Sequence, residues 1–236
     1  MARLDSYSQH FLRSPRLVAE LIGHSNIRKN DLVYDLGAGS GVISSVLARR
    51  CRHVVAVEIE PHALATLRNN TAHLNTVTIL EKDILSIEPP NEPYKIFANI
   101  PFHLSSKIVQ KFVFASKPPK GMYLITQKQF ARKLVPGADH FTGQLSAEIG
   151  PWFSARIRKP LRKTDFTPPP AVDTVLLELK RRETPLLSAN ETETYRAFIA
   201  RCFTDQKFFF GLNKPFSSEL RPSQLTLEQW LTLYAK

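Results

Sequence analysis

Through the first 180 positions, short runs of apolar, often β-branched residues alternate with segments whose apolar positions recur every three to four residues. This spacing predicts buried strands over residues 32–36, 54–59, 77–80, 95–98 and 123–126, each bounded by polar residues or by Gly and Pro. Helices are predicted between them over 42–50, 61–72 and 105–114, with Pro61 at a helix start, where its missing N–H costs nothing. Such βαβαβ alternation implies an α/β fold with a mostly parallel, doubly wound sheet. Residues 152–157 and 174–180 predict two later strands that close the sheet as a hairpin-like pair. Pro168, Pro169 and Pro170 fall just before the last strand. They cannot donate to a ladder, so the loop is expected to be stiff and extended.

The pattern changes after residue 180. Residues 181–190 predict a linker, and short helices follow over 191–202 and 226–235. In the last helix Leu227, Trp230, Leu231 and Tyr234 recur at helical spacing, and Thr226 with Gln229 fits a capping box. The chain is thus expected to divide into a domain over 1–180 and a small helical domain over 181–236. The second is expected to be too small for a core of its own and to pack on the first.

Charge changes the picture more than composition does. Lys and Arg total 32 against 21 Asp and Glu, a net +11 that points to a polyanionic partner. The excess is concentrated between Lys128 and Lys163, where Lys128, Arg132, Lys133, Arg156, Arg158, Lys159, Arg162 and Lys163 face only Asp139 and Glu148. This stretch shows no amphipathic helix with an aromatic face, so nucleic acid is favoured over a membrane surface. No apolar run approaches the roughly 18 residues of a membrane span, and the first ten positions hold no apolar leader segment. Cys51 and Cys202 are too few for a metal set or a disulfide framework. The expectation is a monomeric cytoplasmic protein with no metal.

Candidate chemistry collects where the strands end. Asp35-Leu-Gly-Ala-Gly-Ser-Gly41 follows the first strand and opens a helix. Gly37, Gly39 and Gly41 let the backbone turn tightly and approach a ligand beside helix N–H groups. Glu58 ends the second strand, 23 residues after Asp35, where a ribose-binding carboxylate is expected. Asp83 lies just past the third strand, placed for an adenine amino group. Three polar groups at the carboxyl ends of successive strands make a nucleoside site. Asn99-Ile100-Pro101-Phe102 then follows the fourth strand. The Asn99 side-chain carbonyl and the Ile100 carbonyl supply two acceptors, and Phe102 supplies a ring on which a planar base can stack. Two acceptors beside an aromatic plate suit an exocyclic amine.

These motifs resemble the ribosomal RNA adenine N6-methyltransferases, the family that contains KsgA and the Erm macrolide-resistance enzymes. The resemblance begins at Ser8-Gln9-His10-Phe11-Leu12, close to the family's Q-[NH]-F-L motif, and continues through Asp35–Gly41, Glu58 and Asp83. Asn99–Phe102 matches the [NDS]-[IL]-P-[FY] motif of amino-group methylation. Residues 166–173 are similar to F-x-P-x-P-x-V-x-S, with Asp173-Thr174 in place of the x-Ser ending. The resemblance implies a Rossmann-like domain that uses S-adenosylmethionine and yields S-adenosylhomocysteine, followed by a small helical domain for RNA binding or packing.

By the same resemblance, Gly37 and Gly39 hold the methionine part of the cofactor, Glu58 and Ile59 the ribose side, and Asp83 and Ile84 the adenine. Gln9, His10 and Leu12 close the N-terminal side, and Asn99 borders the cofactor as well as the target. Asn99, Ile100 and Phe102 orient a flipped adenine, with Phe166 as a second aromatic wall. Lys128, Arg132, Lys133, Arg162 and Lys163 contact rRNA. Ile100, Phe102 and the ending from Pro222 to Trp230 lean to the Erm branch. That branch implies an adenine in the peptidyl-transferase loop of 23S rRNA, with resistance to macrolides, lincosamides and B-type streptogramins. The KsgA branch is the alternative, with adjacent adenines near the 3′ end of 16S rRNA as its targets.

Overall fold

The structure is a computed structural model that describes residues 11–12, 14–137 and 142–235. Its elements are β1 (Phe11–Leu12), α1 (Pro15–Gly23), β2 (Leu32–Leu36), α2 (Val42–Leu47), β3 (His53–Glu58), α3 (Pro61–Thr71), β4 (Val77–Glu81), β5 (Tyr94–Asn99) and α4 (Ser105–Val113). They continue through β6 (Gly121–Gln127), α5 (Lys128–Leu134), α6 (Gln144–Ile149), β7 (Phe153–Leu161), β8 (Phe166–Thr167), β9 (Thr174–Arg181), α7 (Thr192–Thr204), α8 (Gln206–Gly211) and α9 (Leu227–Tyr234). None of the helices among the described residues is long and apolar enough to cross a membrane.

Seven strands form one sheet in the order β4-β3-β2-β5-β6-β9-β7. The first five in this order are mutually parallel, as the alternating pattern predicts, and β9 and β7 are antiparallel. β9 inserts between β6 and β7, so the later pair closes the sheet with its second member inside. β7 also runs on to Leu161 through an irregularity between Ile157 and Lys159, beyond the predicted end at 157. Strand order reverses between β2 and β5. Their pairing ends at Tyr34–Ile96, whereas β2 stays paired with β3 through Leu36–Val57. The carboxyl ends of β2 and β5 therefore separate, which is where ligands bind in open α/β sheets.

Alternation along the central strands sends side chains to two apolar layers. Val33, Val54, Phe97, Tyr123 and Ile125 pack with α1 and α2, while Tyr34, Leu36, Ile96, Ala98 and Leu124 pack with α4. Each Val, Leu, Ile or Phe side chain among them, fully buried, contributes about 1.5–3 kcal/mol. A small third layer of Ala38, Ala56, Leu64 and Leu67 seats α3 beside the glycine loop. α3 starts as its sequence predicts, with Pro61 in the first turn and the Glu60 carboxylate accepting from the His62 and Ala63 N–H groups. α2 is shorter than predicted, because Arg49 and Arg50 bond back three residues, to Val46 and Leu47, in a tightening turn.

The tail departs from its expectation. Tyr195, Ile199, Cys202, Phe209, Leu225, Trp230 and Leu233 are buried together, with Phe198, Phe203 and Phe208 packed around them. Large rings supply the volume that chain length does not, so the tail does hold a cluster of its own. Ala147 of α6 and Trp152 join this cluster from the sheet side, and the Tyr195 hydroxyl donates to the Ala147 carbonyl. The predicted linker is also fastened: Arg182 Nε donates to the Gly150 carbonyl and the Leu186 N–H to the Pro151 carbonyl. The predicted capping box at Thr226 and Gln229 is present at the start of α9.

Candidate active site

The loop after β2 turns through three glycines in the left-handed region, Gly37 at φ 70°, Gly39 at φ 56° and Gly41 at φ 84°. Space adds to dihedral angle at two of them, at Gly41 against the buried core and at Gly39 against an exposed ring. A Cβ on Gly41 would lie 2.6 Å from Leu67 Cδ1, and one on Gly39 would lie 2.8 Å from the Phe11 ring. The loop is tied to the next strand by Gly37 and Ala38 N–H groups that both donate to the Val57 carbonyl.

Glu58, 4% exposed at the end of β3, holds the loop from the other side. Its Oε2 accepts from the Gly39 N–H at 2.8 Å, and its Oε1 accepts from the N–H groups of Ile59 at 2.8 Å and Glu60 at 2.9 Å. A carboxylate offers about four acceptor directions. Three are engaged by described backbone groups, so one donor of a sugar diol can be added without displacing them. Ile59 beside it is 59% exposed, an apolar side chain left at the rim of the crevice.

Asp35 lies beneath the loop, fully buried. Its Oδ2 accepts from the Ser44 hydroxyl at 2.6 Å, and its Oδ1 has no hydrogen-bond partner among the described residues. Burial pushes the Asp35 carboxyl up to about 7; the Ser44 bond opposes that shift and the Glu58 charge adds to it. Asp83 is exposed after β4, and its Oδ1 accepts from the Leu85 N–H at 2.8 Å, which turns the chain back under the crevice.

Across the crevice stands the turn after β5. Ile100, 2% exposed, is anchored in the apolar layer below, and Pro101 adopts φ −57° and ψ 122°. Phe102 is half-buried and opens a short 3₁₀ turn, Phe102–Leu104. The two sides touch. A Cβ on Gly37 would meet Ile84 Cδ1 at 3.6 Å and Pro101 Cδ at 3.7 Å, so glycine loop, β4 exit and β5 exit meet at one point.

Beyond β6 the charge gathers. Gln127, Lys128, Gln129, Arg132, Lys133, Val172 and Asp173 line an open cleft of about 470 Å³. β6 pairs with β5 through Asn99–Ile125, so this cleft begins two residues past the strand neighbour of Asn99. The predicted basic set is divided: Lys128, which pairs with Asp173, lines the cleft with Arg132 and Lys133, whereas Arg162 pairs with Asp165 and Lys163 donates to the Ala171 carbonyl.

Two other expected site residues take different places. Phe166 is not at the crevice surface; it is fully buried among Leu12, Val18, Leu21 and Leu161, where no base can reach its ring in this arrangement. Leu12, 6% exposed, is buried with it. The reason is β1, which pairs antiparallel with β8 as Phe11–Thr167 and Leu12–Phe166. Alternation turns Leu12 into the core and leaves Phe11, which sequence reasoning passed over, against Gly39. Its position next to a buried residue in a strand was the available signal. Gln9 and His10 lie outside the described residues. Among the described residues no group of three or more His, Cys, Asp or Glu side chains is placed to hold a metal ion.

The crevice suits an adenosine-bearing cofactor: a glycine loop that a Cβ would fill, a buried carboxylate with an acceptor direction left, and an exposed Ile59 at the rim. Comparison with known proteins points the same way. The family model described as ribosomal RNA adenine dimethylase matches residues 3–219. An rRNA adenine N-6-methyltransferase of Limosilactobacillus reuteri is 29% identical over 236 residues, covering 96% of this chain and 93% of its own. A mitochondrial ribosomal RNA small subunit methyltransferase of Arabidopsis thaliana is 28% identical over 228 residues, covering 94% of this chain and 57% of its own. The crystal structure of the 23S rRNA methyltransferase ErmE superposes with a TM-score of 0.83 at 26% identity, covering 95% of this chain and 98% of that one.

Proposed function

The chain belongs to the ribosomal RNA adenine dimethylase family, enzymes that methylate rRNA adenine at N6, and from that premise we propose that its target is an adenine in the peptidyl-transferase loop of 23S rRNA. The observation that carries the choice of 23S is the likeness to ErmE, which spans nearly the whole of both chains. Ile100 and Phe102 in the turn after β5, and the ending from Pro222 to Trp230, support the same branch. The division of labour follows the two regions, a catalytic domain over 1–180 and a helical domain over 181–236 that packs on it and contacts RNA.

S-adenosylmethionine, which methyltransferases of this family use, supplies an electrophilic methyl group. In our reading Gly37, Gly39 and Glu58 hold its methionine and ribose parts, and Ile59, Asp83 and Ile84 border the ribose and adenine. Gln9 and His10 close the remaining side, where Phe11 rather than Leu12 faces Gly39. Phe102 receives the target base. Extruding it from the RNA stack costs a few kcal/mol, and stacking on an aromatic ring returns about 1–3 kcal/mol. Asn99 and the Ile100 carbonyl accept the N6–H groups and turn the nitrogen lone pair toward the crevice. Alignment supplies most of the acceleration, because the methyl donor is already reactive. Lys128, Arg132 and Lys133, with Arg162 and Lys163 farther along, carry the phosphates past this point.

Methyl groups on that adenine remove a hydrogen-bond donor and add bulk where macrolides, lincosamides and B-type streptogramins dock. Expression in a sensitive bacterium should raise resistance to all three drug classes together. Erythromycin sensitivity that persists while 16S rRNA gains methyl groups would transfer the assignment to the small-subunit branch.

A further inference from the structure

Two buried hydroxyls behind Phe102 have no part in the chemistry described so far. Ser105, 2% exposed, begins α4, and Thr126, fully buried, is the last but one residue of β6. Ser105 Oγ lies 2.9 Å from the Phe102 carbonyl oxygen and 3.1 Å from Thr126 Oγ1. A carbonyl only accepts, so the single Ser105 proton goes to Phe102. The bond to Thr126 must then be donated by Thr126. Both protons are thereby assigned, and they run in one direction, from β6 through Ser105 to the backbone of Phe102.

This is more than a local turn. Ser105 bonding three residues back is common at helix starts, but here the serine is itself held by a strand 21 residues away in sequence, inside the core. The strand so engaged carries Ile125, the partner of Asn99, on one side of Thr126 and Gln127, which lines the basic cleft, on the other. The Phe102 ring, Asn99 and the cleft are thus referred to one rigid strand. Resting on the reading of Phe102 as the plate for the target base, we infer that Thr126 and Ser105 are positioning residues that fix the height and tilt of that plate.

A double-mutant experiment tests this on whichever of the protein-free 23S and 16S transcripts the wild-type protein methylates. Ser105→Ala and Thr126→Val should each lower kcat, on the order of 10–100-fold as expected for a misplaced reacting group. Cofactor Kd by calorimetry and KM for RNA should stay near wild type, since phosphate contacts dominate RNA affinity. Thr126→Ser should keep kcat. Ser105→Ala leaves the Thr126 proton without its acceptor and should melt earlier. Thr126→Val leaves Ser105 bonded to the Phe102 carbonyl and should lose less. Ser105→Ala/Thr126→Val removes both hydroxyls and should regain most of the stability lost in Ser105→Ala. The prediction is that its kcat stays low. Recovery of kcat together with stability, or wild-type kcat in the single variants, would overturn the inference. Phe102→Ala is the control. If it is crippled while the hydroxyl variants turn over normally, only the positioning role fails; if it turns over normally, the stacking reading fails and takes the inference with it.

Discussion

On the β2–β3 side of the crevice, the groups that face a ligand belong mostly to the backbone. Three left-handed glycines shape the loop, and Glu58 holds it through the Gly39 N–H while accepting also from the N–H groups of Ile59 and Glu60. On the β5–β6 side the proposed contacts come mainly from side chains: Asn99 and Phe102 at the front beside the Ile100 carbonyl, with Ser105 and Thr126 behind. In the proposed reading the first side holds the cofactor that the family shares, and fixed backbone donors would serve that purpose. The second, in the same reading, receives a base drawn out of an RNA, and its geometry rests on a few oxygen atoms. One side should therefore fail when a carbon is added, and the other when an oxygen is removed.

The largest effect expected from this contrast is on turnover. Asn99→Ala should lower kcat on the order of 10²–10³-fold, the scale set by loss of one preorganised polar contact, and leave cofactor affinity and melting temperature close to wild type. Equal losses of cofactor affinity and of kcat would erase the distinction between the two sides.

Next in size is a change in stability on the opposite side. Gly41→Ala forces a left-handed φ on a residue with a Cβ and drives that Cβ to 2.6 Å from Leu67 Cδ1. The strain and the overpacking each cost about 1–3 kcal/mol. Thermal unfolding should shift down by several degrees, and cofactor binding should weaken with it. An unchanged melting temperature would show that the loop is not locked between β2 and α3.

The smallest expected effect sharpens the comparison through pH. Asp35 is buried under the backbone-built side, and its carboxyl stands at about 7 in the fold against an ordinary 3.8. A raised carboxyl makes the folded state hold its proton longer than the unfolded chain does. The resulting stabilisation is fully present below about pH 4 and is lost as pH rises through about 7. Asp35→Asn keeps the shape without the charge, so its stability relative to wild type should be higher at pH 8 than at pH 5. A constant difference between wild type and variant across that range would mean that Asp35 is not held neutral.

Much of this was legible in the chain. β2 to β6 declare themselves as short β-branched runs, Pro61 marks the start of α3, and Thr226 with Gln229 marks α9. The positions of the candidate residues were readable for a related reason: strand ends are easy to locate, and Asp35, Glu58 and Asn99 each fall at or near one. The pairing of β1 with β8 was not legible, because two-residue strands have no period to detect. The burial of Phe166 follows from that pairing and was hidden with it. α5 and α6 were masked by charged and small residues, and the tail's cluster by its low count of aliphatic side chains. The hydroxyl pair behind Phe102 joins residues 21 positions apart, which only the fold brings together.

The central claim is that this crevice and the turn after β5 transfer a methyl group to N6 of an adenine in 23S rRNA. It is tested most directly by incubating the protein with labelled S-adenosylmethionine and protein-free 23S and 16S transcripts, then mapping the product by mass spectrometry and primer extension. The account predicts N6-methyladenine or its dimethyl form at a single site in the 23S peptidyl-transferase loop, formed at an initial rate on the order of 10²–10³-fold lower with Asn99→Ala. Label confined to paired adenines near the 3′ end of 16S rRNA, or equal labelling by Asn99→Ala, would contradict it.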